Sequence, residues 1–349
     1  MQNTTPPNIP TTPGLSKRRV GRFYLTSELG KGSNGSVFLG HDPIIDRDVA
    51  IKTLATTPGL ADKKQREQQF INEARAAGRL SHPNIVTIYD ASSEGGTTFI
   101  AMEFLQGQDL RQALASGRRF DSIETVNIIT KVASALAYAH ENGVIHRDIK
   151  PGNIFILPNN QPKVVDFGIA RAPNRILFDQ ANPEHTLFNN NILGTPNYMS
   201  PEQAMGQQVT AATDVYSLGA VMYEMLTQQK PFQGQNIDKL LQQIAHKTPK
   251  SPSELSPNVP AALTAIVTKA MQKNPAERYA SAAEMGQALD KFLERDKRLK
   301  RKRGRPAGDA NGIQEQAPER SSLFWLSCIA VVVALVAVAA NFWLKVVPH

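Results

Sequence analysis

The chain of 349 residues is long enough for one large domain or two ordinary ones, and 41% of its residues are hydrophobic, which is ample for a buried core. Its formal charge of +8 is concentrated rather than spread, because residues 295–305 contain eight Lys or Arg and one Asp. This distribution argues against a basic nucleic-acid-binding face on a globular domain and indicates a basic tail. The single cysteine, Cys328, excludes an intramolecular disulfide framework.

The N-terminal segment is polar and rich in proline and threonine. Because such a composition cannot bury enough apolar surface to fold, we expect residues 1–19 to be disordered. No apolar stretch of signal-peptide length follows, so no cleaved export signal is expected.

A glycine-rich segment opens the predicted folded region. Apolar and polar residues alternate from Tyr24 to Leu39 around residues 30–35, which predicts two strands joined by a glycine-rich hairpin. Glycines there let backbone amides approach phosphate oxygens closely. A dinucleotide-binding loop would require the last glycine to open a helix, but the sequence after Gly35 continues as a strand.

A lysine among apolar neighbours follows, Lys52 in the strand-like run 48–54. A buried lysine needs a partner, and the predicted helix 62–80 carries Glu73. The other elements predicted before the central motif are strands 85–89 and 97–104, a turn at Gly95-Gly96, a break at Gly107 and a helix over 122–142 ended by Gly143. After that motif the prediction is a buried helix over 214–226, a proline-rich loop over 247–260 and helices over 261–273 and 281–295.

The most informative stretch runs from His146 to Gly168. It contains Asp148, Asn153 and Asp166, and the two aspartates are 18 positions apart. An enzyme that transfers a phosphoryl group needs one carboxylate to orient the attacking hydroxyl. It needs a second carboxylate, with an amide oxygen, to hold Mg²⁺ on the phosphates. These three side chains therefore predict phosphoryl transfer.

Over about residues 20–295 these motifs, in this order, resemble the bacterial eukaryotic-like (Hanks-type) serine/threonine protein kinases of the membrane-anchored PknB-like family. The resemblance implies an α+β, two-lobed protein kinase fold. A small β-rich N-lobe with one helix would span residues 20–105, and a larger helical C-lobe would span residues 106–295. It also implies ATP with Mg²⁺ or Mn²⁺ as cofactors, and proteins with Ser or Thr acceptors as substrates.

The resemblance assigns the chemistry to named residues. Asp148 would orient the acceptor hydroxyl, and Lys150 would contact the transferred phosphate, as in serine/threonine kinases. Thr195 would help to fix both, while Asn153 and Asp166 would bind the metal.

On the nucleotide side, Lys52 would align the phosphates and pair with Glu73. The other implied nucleotide-binding positions are Leu29, Gly30, Lys31, Gly32, Ser33, Asn34, Gly35, Val37, Ala50, Met102, Glu103, Leu105 and Phe155.

Two structural roles and one regulatory role also follow from the resemblance. Asp214 would cap the backbone of the catalytic loop, and Glu202 would pair with Arg278. Thr186 is the one hydroxyl-bearing residue between Gly168 and Gly194. We therefore predict it as the autophosphorylation site, filled in a transient homodimer, whose phosphate would be received by Arg147.

The alternative to an enzyme is a pseudokinase that serves as a membrane-tethered scaffold. Its signature would be the loss of Lys52, Asp148, Asn153 or Asp166, and none of these is lost. The residues therefore favour an active kinase.

The C-terminal part predicts a membrane anchor. Residues 323–344 are 22 residues without formal charge, enough for about 33 Å of helix, and they have tryptophans near both ends. The basic linker over 296–322 precedes this span and the short tail 345–349 follows it. This asymmetry predicts a single-pass protein of the inner membrane with a cytoplasmic catalytic domain. The linker would be either a solvated tether or a segment attracted to anionic lipid.

Overall fold

The computed structural model describes residues 18–32, 35–55, 63–167 and 196–303. The predictions for Ser33, Asn34, Gly168, Thr186 and Thr195 lie outside these ranges, as do those for residues 1–17 and 304–349. The described part of Met1–Leu299 forms one compact unit.

Alternation of apolar and polar residues produces a six-stranded antiparallel sheet in the N-lobe. Its spatial order is β1-β2-β3-β4-β6-β5. The strands are β1 (Arg19–Val20), β2 (Phe23–Gly32), β3 (Gly35–Asp42), β4 (Arg47–Leu54), β5 (Ile88–Glu94) and β6 (Thr97–Glu103). The β2 and β3 strands pair from Tyr24 with His41 to Gly32 with Gly35, so the predicted glycine-rich hairpin is confirmed.

One helix, α1 (Lys63–Ala77), accompanies this sheet. Its Phe70 and Ala74 are buried against Ile100 of β6, which fixes the helix on one face of the sheet. The helix ends at Ala77, three residues before the end of the predicted span 62–80.

A second sheet of three short strands begins the C-lobe, with β7 (Gln108–Asp109), β8 (Ile154–Leu157) and β9 (Gln161–Val164). Gly107 precedes it with a φ of 150°, and an added Cβ would lie 2.2 Å from the carbonyl oxygen of Ile156. Gly107 therefore allows a close approach of two backbones that other residues would prevent.

Helices form the rest of the C-lobe. They are α2 (Leu110–Ala115), α3 (Ser122–Glu141), α4 (Pro201–Ala204), α5 (Ala211–Thr227), α6 (Ile237–His246), α7 (Pro252–Leu255), α8 (Ala261–Ala270) and α9 (Ala282–Arg303). The α3 helix begins at a capping box in which Asp121 accepts from the amide of Glu124, and Gly143 follows it with a φ of 74°. Buried faces of α3 and α5 contribute to one continuous C-lobe core.

Several predicted boundaries are wrong. The strand predicted over 85–89 lies instead at β5, and Ile85 forms only an isolated bridge to Val164. Polar residues end β5 because it is the edge strand of its sheet, where one side is open to water. The predicted loop 247–260 contains α7, which begins at Pro252, a residue suited to a first helical position.

The last two helices also differ from their predicted bounds, since α8 ends at Ala270 and α9 continues to Arg303. Among the residues that the structure describes, no helix has the length and apolar character of a membrane span. The predicted span 323–344 falls outside those residues.

Candidate active site

The catalytic loop, residues 146–153, is anchored by Asp214 of α5, which is fully buried. Its two carboxylate oxygens accept hydrogen bonds from the backbone amides of His146 and Arg147, each at 2.8 Å. His140 of α3 also places its Nε2 at 2.8 Å from Asp214 Oδ2. The predicted capping of the loop backbone by Asp214 is therefore confirmed.

His146 connects the loop to the segment that carries Asp166. Its Nδ1 accepts from the amide of Asp148 at 3.2 Å, so its Nε2 carries the proton donated to the carbonyl of Val165 at 3.1 Å. Burial lowers the pKa of His146, although the carboxylates of Asp214 and Asp148 oppose this shift. A neutral imidazole therefore fits both hydrogen bonds at neutral pH.

Asp148 is oriented by two neighbours within the loop. Lys150 Nζ lies 2.7 Å from Asp148 Oδ2, and Asn153 Nδ2 donates to the same oxygen at 3.1 Å and to the carbonyl of Asp148 at 2.8 Å. The side chain of Asp148 remains 21% exposed, so a substrate can reach it. The structure thus brings together three of the residues predicted for catalysis and metal binding.

Lys52 of β4 contacts Asp166 across the cleft between the lobes, with its Nζ 2.8 Å from Asp166 Oδ1. Burial alone would raise the pKa of the Asp166 carboxyl, but the charge and hydrogen bond of Lys52 hold it below its ordinary value. Asp166 is therefore ionised at neutral pH. The predicted partner of Lys52, Glu73, lies on α1, but its side chain is outside the described part of the structure.

Asp166 and Asn153 fit the requirements of a magnesium site. Mg²⁺ commonly binds one or two protein carboxylates together with substrate phosphates and water. Asp166 supplies an ionised carboxylate, and its φ of 55° shows a backbone conformation that few residues other than glycine adopt. Asn153 uses its amide nitrogen to bind Asp148, so its side-chain oxygen remains for a cation. The backbone of the same asparagine accepts from Val165 at 3.0 Å, which places the two predicted ligands on hydrogen-bonded segments.

An apolar cluster contains four of the predicted adenine-contacting residues. Ala50 and Met102 are buried in it, and Val37 and Leu105 pack against it. Phe155 lies on β8 opposite Lys163 of β9, outside this cluster. Leu29 is 42% exposed on β2. The binding roles of these residues remain predictions.

Behind the loop, Arg278 forms the predicted pair with Glu202. Its two terminal nitrogens each lie 2.7 Å from a different oxygen of Glu202, and both side chains are buried. Burial would raise the pKa of Glu202, but the hydrogen bonds and charge of Arg278 lower it. This pair joins α4 to the segment before α9, and its role is structural.

Two contacts of the loop were not predicted from sequence. Gln203 Nε2 donates to the carbonyl of Arg147 at 2.7 Å, and His140 contacts Asp214. The sequence Ser200-Pro201-Glu202-Gln203 does carry a readable signal, because a serine followed by glutamine three residues later predicts a capping box. That signal identifies the helix start but not the contact with Arg147.

The profile of the protein kinase domain family matches residues 23–290. The chain belongs to the protein kinase family. Its curated relatives place it among the bacterial Hanks-type, PknB-like kinases, which confirms this part of the predicted resemblance, while membrane anchoring stays a prediction. Membership of this family implies the use of ATP and a divalent metal ion.

Two of these relatives show how much of the chain is shared. Serine/threonine-protein kinase PrkC of Bacillus subtilis is 37% identical over 290 residues, covering 83% of this chain and 43% of PrkC. Serine/threonine-protein kinase PknB of Mycobacterium leprae is 38% identical over 286 residues, covering 81% of this chain and 43% of PknB. The chain therefore spans less than half the length of these two relatives.

A solved structure supports the two-lobed fold. The crystal structure of the Mycobacterium tuberculosis PknI kinase domain aligns with a TM-score of 0.63 and 26% identity, covering 80% of this chain and 98% of the PknI chain. The predicted kinase fold is thus confirmed for the part of the chain that the structure describes.

Proposed function

We propose that this chain is an ATP-dependent serine/threonine protein kinase that transfers the γ-phosphate of ATP to hydroxyl groups of proteins. The observation that carries this proposal is the geometry around Asp148, whose carboxylate is held by Lys150 at 2.7 Å and by Asn153 at 3.1 Å. The ion pair between Lys52 and Asp166 provides the nucleotide side of the same site. The names of the relatives PrkC and PknB support the serine/threonine class.

In this proposal each side chain has a limited task. Asp148 orients the acceptor hydroxyl and takes its proton, while Lys150 and Lys52 supply positive charge to the phosphates. Asp166 and Asn153 hold the divalent ion, which neutralises phosphate charge when it is bound. Little covalent chemistry is required of the protein, so positioning and charge neutralisation supply most of the rate.

Transfer of labelled γ-phosphate from ATP to a generic basic protein, with Mg²⁺ or Mn²⁺, tests the proposal. We expect the wild type to label the acceptor and Asp148→Asn to lose about 100-fold or more of the rate. The scaffold alternative predicts equal labelling by the two proteins. Equal labelling would therefore refute the proposed kinase activity.

We further propose that Thr186 is autophosphorylated between two copies of the chain and that Arg147 receives the phosphate. The support is the sequence between Gly168 and Gly194, in which Thr186 is the one hydroxyl-bearing residue. A reaction between copies predicts an initial rate that rises with the square of protein concentration. Mass spectrometry of the active protein should find Thr186 modified. An unmodified Thr186 beside other filled sites would contradict the assignment.

We also propose a single membrane anchor at residues 323–344, with the catalytic domain facing the cytoplasm at the inner membrane. The support is the uncharged apolar sequence and the basic cluster before it, of which Arg295, Lys297 and Arg298 are exposed on α9. An integral protein should stay with the membrane after an alkaline wash. Leu335→Arg, which puts a charge near the middle of the span, should weaken that retention.

A further inference from the structure

Lys163 of β9 forms an ion pair with the segment that connects the lobes. Its Nζ lies 2.7 Å from Oε2 of Glu103, the last residue of β6. The side chains are 13% and 27% exposed, so the pair is partly shielded from water. Lys163 precedes Asp166 by three residues along the chain. The ion pair therefore connects the strand that leads to the predicted metal ligand with the predicted adenine-binding segment.

The same two segments are joined by backbone hydrogen bonds to the chain just before β5. The amide of Val86 donates to the carbonyl of Val164 at 3.0 Å, and the amide of Val164 donates to the carbonyl of Asn84 at 2.8 Å. On the other side, the amide of Glu103 donates to the carbonyl of Thr87 at 2.9 Å. Residues 84–87 thus lie between β9 and the end of β6 and bond to both.

Lys163 and Glu103 also reach this intermediate segment with their side chains. Lys163 Nζ donates to the carbonyl of Ile85 at 3.5 Å, and Glu103 Oε2 accepts from the amide of Thr87 at 3.4 Å. The ion pair therefore closes a hydrogen-bonded loop of three segments. A change in the distance between β6 and β9 would therefore have to break the ion pair between Lys163 and Glu103.

We propose that Lys163 is a positioning residue for nucleotide binding, which acts through Glu103 to set the distance between the adenine-binding segment and Asp166. This inference rests on the proposed kinase function. ATP with its metal must satisfy both ends of the site at once, so a small error in their spacing weakens its binding. A ligand that contacts only the adenine end does not depend on that spacing.

A purely structural ion pair would behave differently. It would stabilise the fold without distinguishing one nucleotide ligand from another. Lys269 and Glu284 form such a comparison pair, at 3.1 Å and with side chains 44% and 42% exposed, on α8 and α9 of the C-lobe. Lys269→Met is therefore a matched control for Lys163→Met.

Titration calorimetry with two ligands tests the proposal: a non-hydrolysable ATP analogue with Mg²⁺, and adenosine. For Lys163→Met we expect the dissociation constant of the ATP analogue to rise about three- to tenfold and that of adenosine to change by less than about twofold. Lys163→Arg, which keeps the charge, should restore most of the affinity. Lys269→Met should leave both constants unchanged.

Equal weakening of both ligands, or no weakening of either, would overturn the positioning role while leaving the kinase proposal intact. A wild-type protein that binds neither ligand would overturn both. If Lys163→Met does not fold, Lys163→Gln carries the same test, because its amide can still donate to Glu103 but lacks the charge. We then expect a smaller selective loss for the ATP analogue, and a loss shared by adenosine would refute the proposal.

Discussion

Two ion pairs of nearly equal length have different surroundings. Arg278 and Glu202 lie 2.7 Å apart with side chains 0% and 4% exposed, whereas Lys52 and Asp166 lie 2.8 Å apart with side chains 15% and 42% exposed. Distance alone would assign both pairs the same role. Their exposure distinguishes them.

The C-lobe pair is saturated with hydrogen bonds. Arg278 also donates to the carbonyls of Ala212, Gln272 and Lys273, and Glu202 accepts from the hydroxyl of Thr213. No ligand could replace these contacts without unfolding the region. In the cleft pair the side chain of Asp166 is 42% exposed, so its carboxylate can turn toward a metal ion. In this comparison the buried pair supports the fold, and the pair with an exposed carboxylate is the one that a metal ion can reach.

The largest expected effect is on activity, at the cleft pair. Asp166→Asn should reduce phosphoryl transfer about 1,000-fold, because it removes the carboxylate proposed to hold the metal, while the melting temperature changes little. Steady-state kinetics and thermal unfolding measure the two quantities. Asp290→Asn, at an exposed aspartate of α9, is the control. If Asp166→Asn retained activity within tenfold of the wild type, this carboxylate would not serve the proposed role.

At the buried pair the large effect should be on stability. Arg278→Met should lower the free energy of unfolding by about 3–5 kcal/mol, because the carboxylate of Glu202 remains buried without its partner. In the wild type, the lowered pKa of Glu202 means that its stabilisation is present above its unfolded pKa and is lost as pH falls through the folded value. In the variant, protonation relieves the buried charge.

The destabilisation by Arg278→Met should therefore shrink as the pH is lowered toward the ordinary range of a glutamate. Denaturant unfolding at several pH values measures this trend. Adding Glu202→Leu to the variant should recover part of the loss, since an apolar side chain can replace a buried charge. A penalty that stays constant with pH would show that its cause is lost packing around Arg278.

The set Asp148, Asn153 and Asp166 could be expected from sequence because it lies in one short motif whose order is informative. Arg278 and Glu202 are 76 positions apart, and their pairing could be expected only from the family resemblance. The motif does not state exposure or the number of partners, which depend on the packing of distant segments. The contact between Lys163 and Glu103 joins residues 60 positions apart and has no local pattern. This contact could therefore not be predicted from sequence.

The predicted boundaries of strands and helices were wrong where the local composition suggested one structure and the position of the segment in the fold favoured another. Polar Ser92 and Ser93 belong to β5, because an edge strand tolerates them, whereas the predicted strand ended at residue 89. The α9 helix continues through a basic run that was predicted as a linker. Lysine and arginine are good helix formers, so charge alone was a poor reason to end that helix.

Lys273 is partly buried and lies close enough to Arg278 to feel its charge. Its Nζ donates to the carbonyl of Ile244 at 2.6 Å and lies 4.4 Å from the ring centre of Phe232. Burial, and then the charge of Arg278, lower its pKa from 10.5 to about 8. Between these values the unfolded chain binds more protons than the folded one, so stability contributed at this site rises with pH.

Compared with Lys273→Met, the wild type should therefore gain about 1 kcal/mol of unfolding free energy between about pH 7 and pH 9, because solvent screens part of the effect. Denaturant unfolding of both proteins at constant ionic strength measures the difference. A difference that does not change with pH would mean that Lys273 keeps its proton in the folded state over this range.

The smallest expected effects are at the start of α4, where variants of Ser200 and Gln203 distinguish the stability of the helix from its contact with the catalytic loop. Ser200 is fully buried, and its hydroxyl accepts from the amide of Gln203 at 3.3 Å, so Ser200→Ala should cost about 1 kcal/mol of stability. Its backbone amide still donates to Gln203 Oε1, at 3.0 Å in the wild type, so the glutamine should keep its contact with Arg147. The turnover number should then change by less than about twofold.

Gln203→Ala removes both the cap contact and the hydrogen bond to the carbonyl of Arg147, so it should lower the turnover number about three- to tenfold at a similar cost in stability. Steady-state kinetics of the two variants, compared at equal folded fraction, measures the difference. Equal turnover losses would mean that the start of α4 supports Asp148 as a unit. A loss confined to Gln203→Ala would show that one amide contact, rather than the stability of the helix, carries the effect into the catalytic loop.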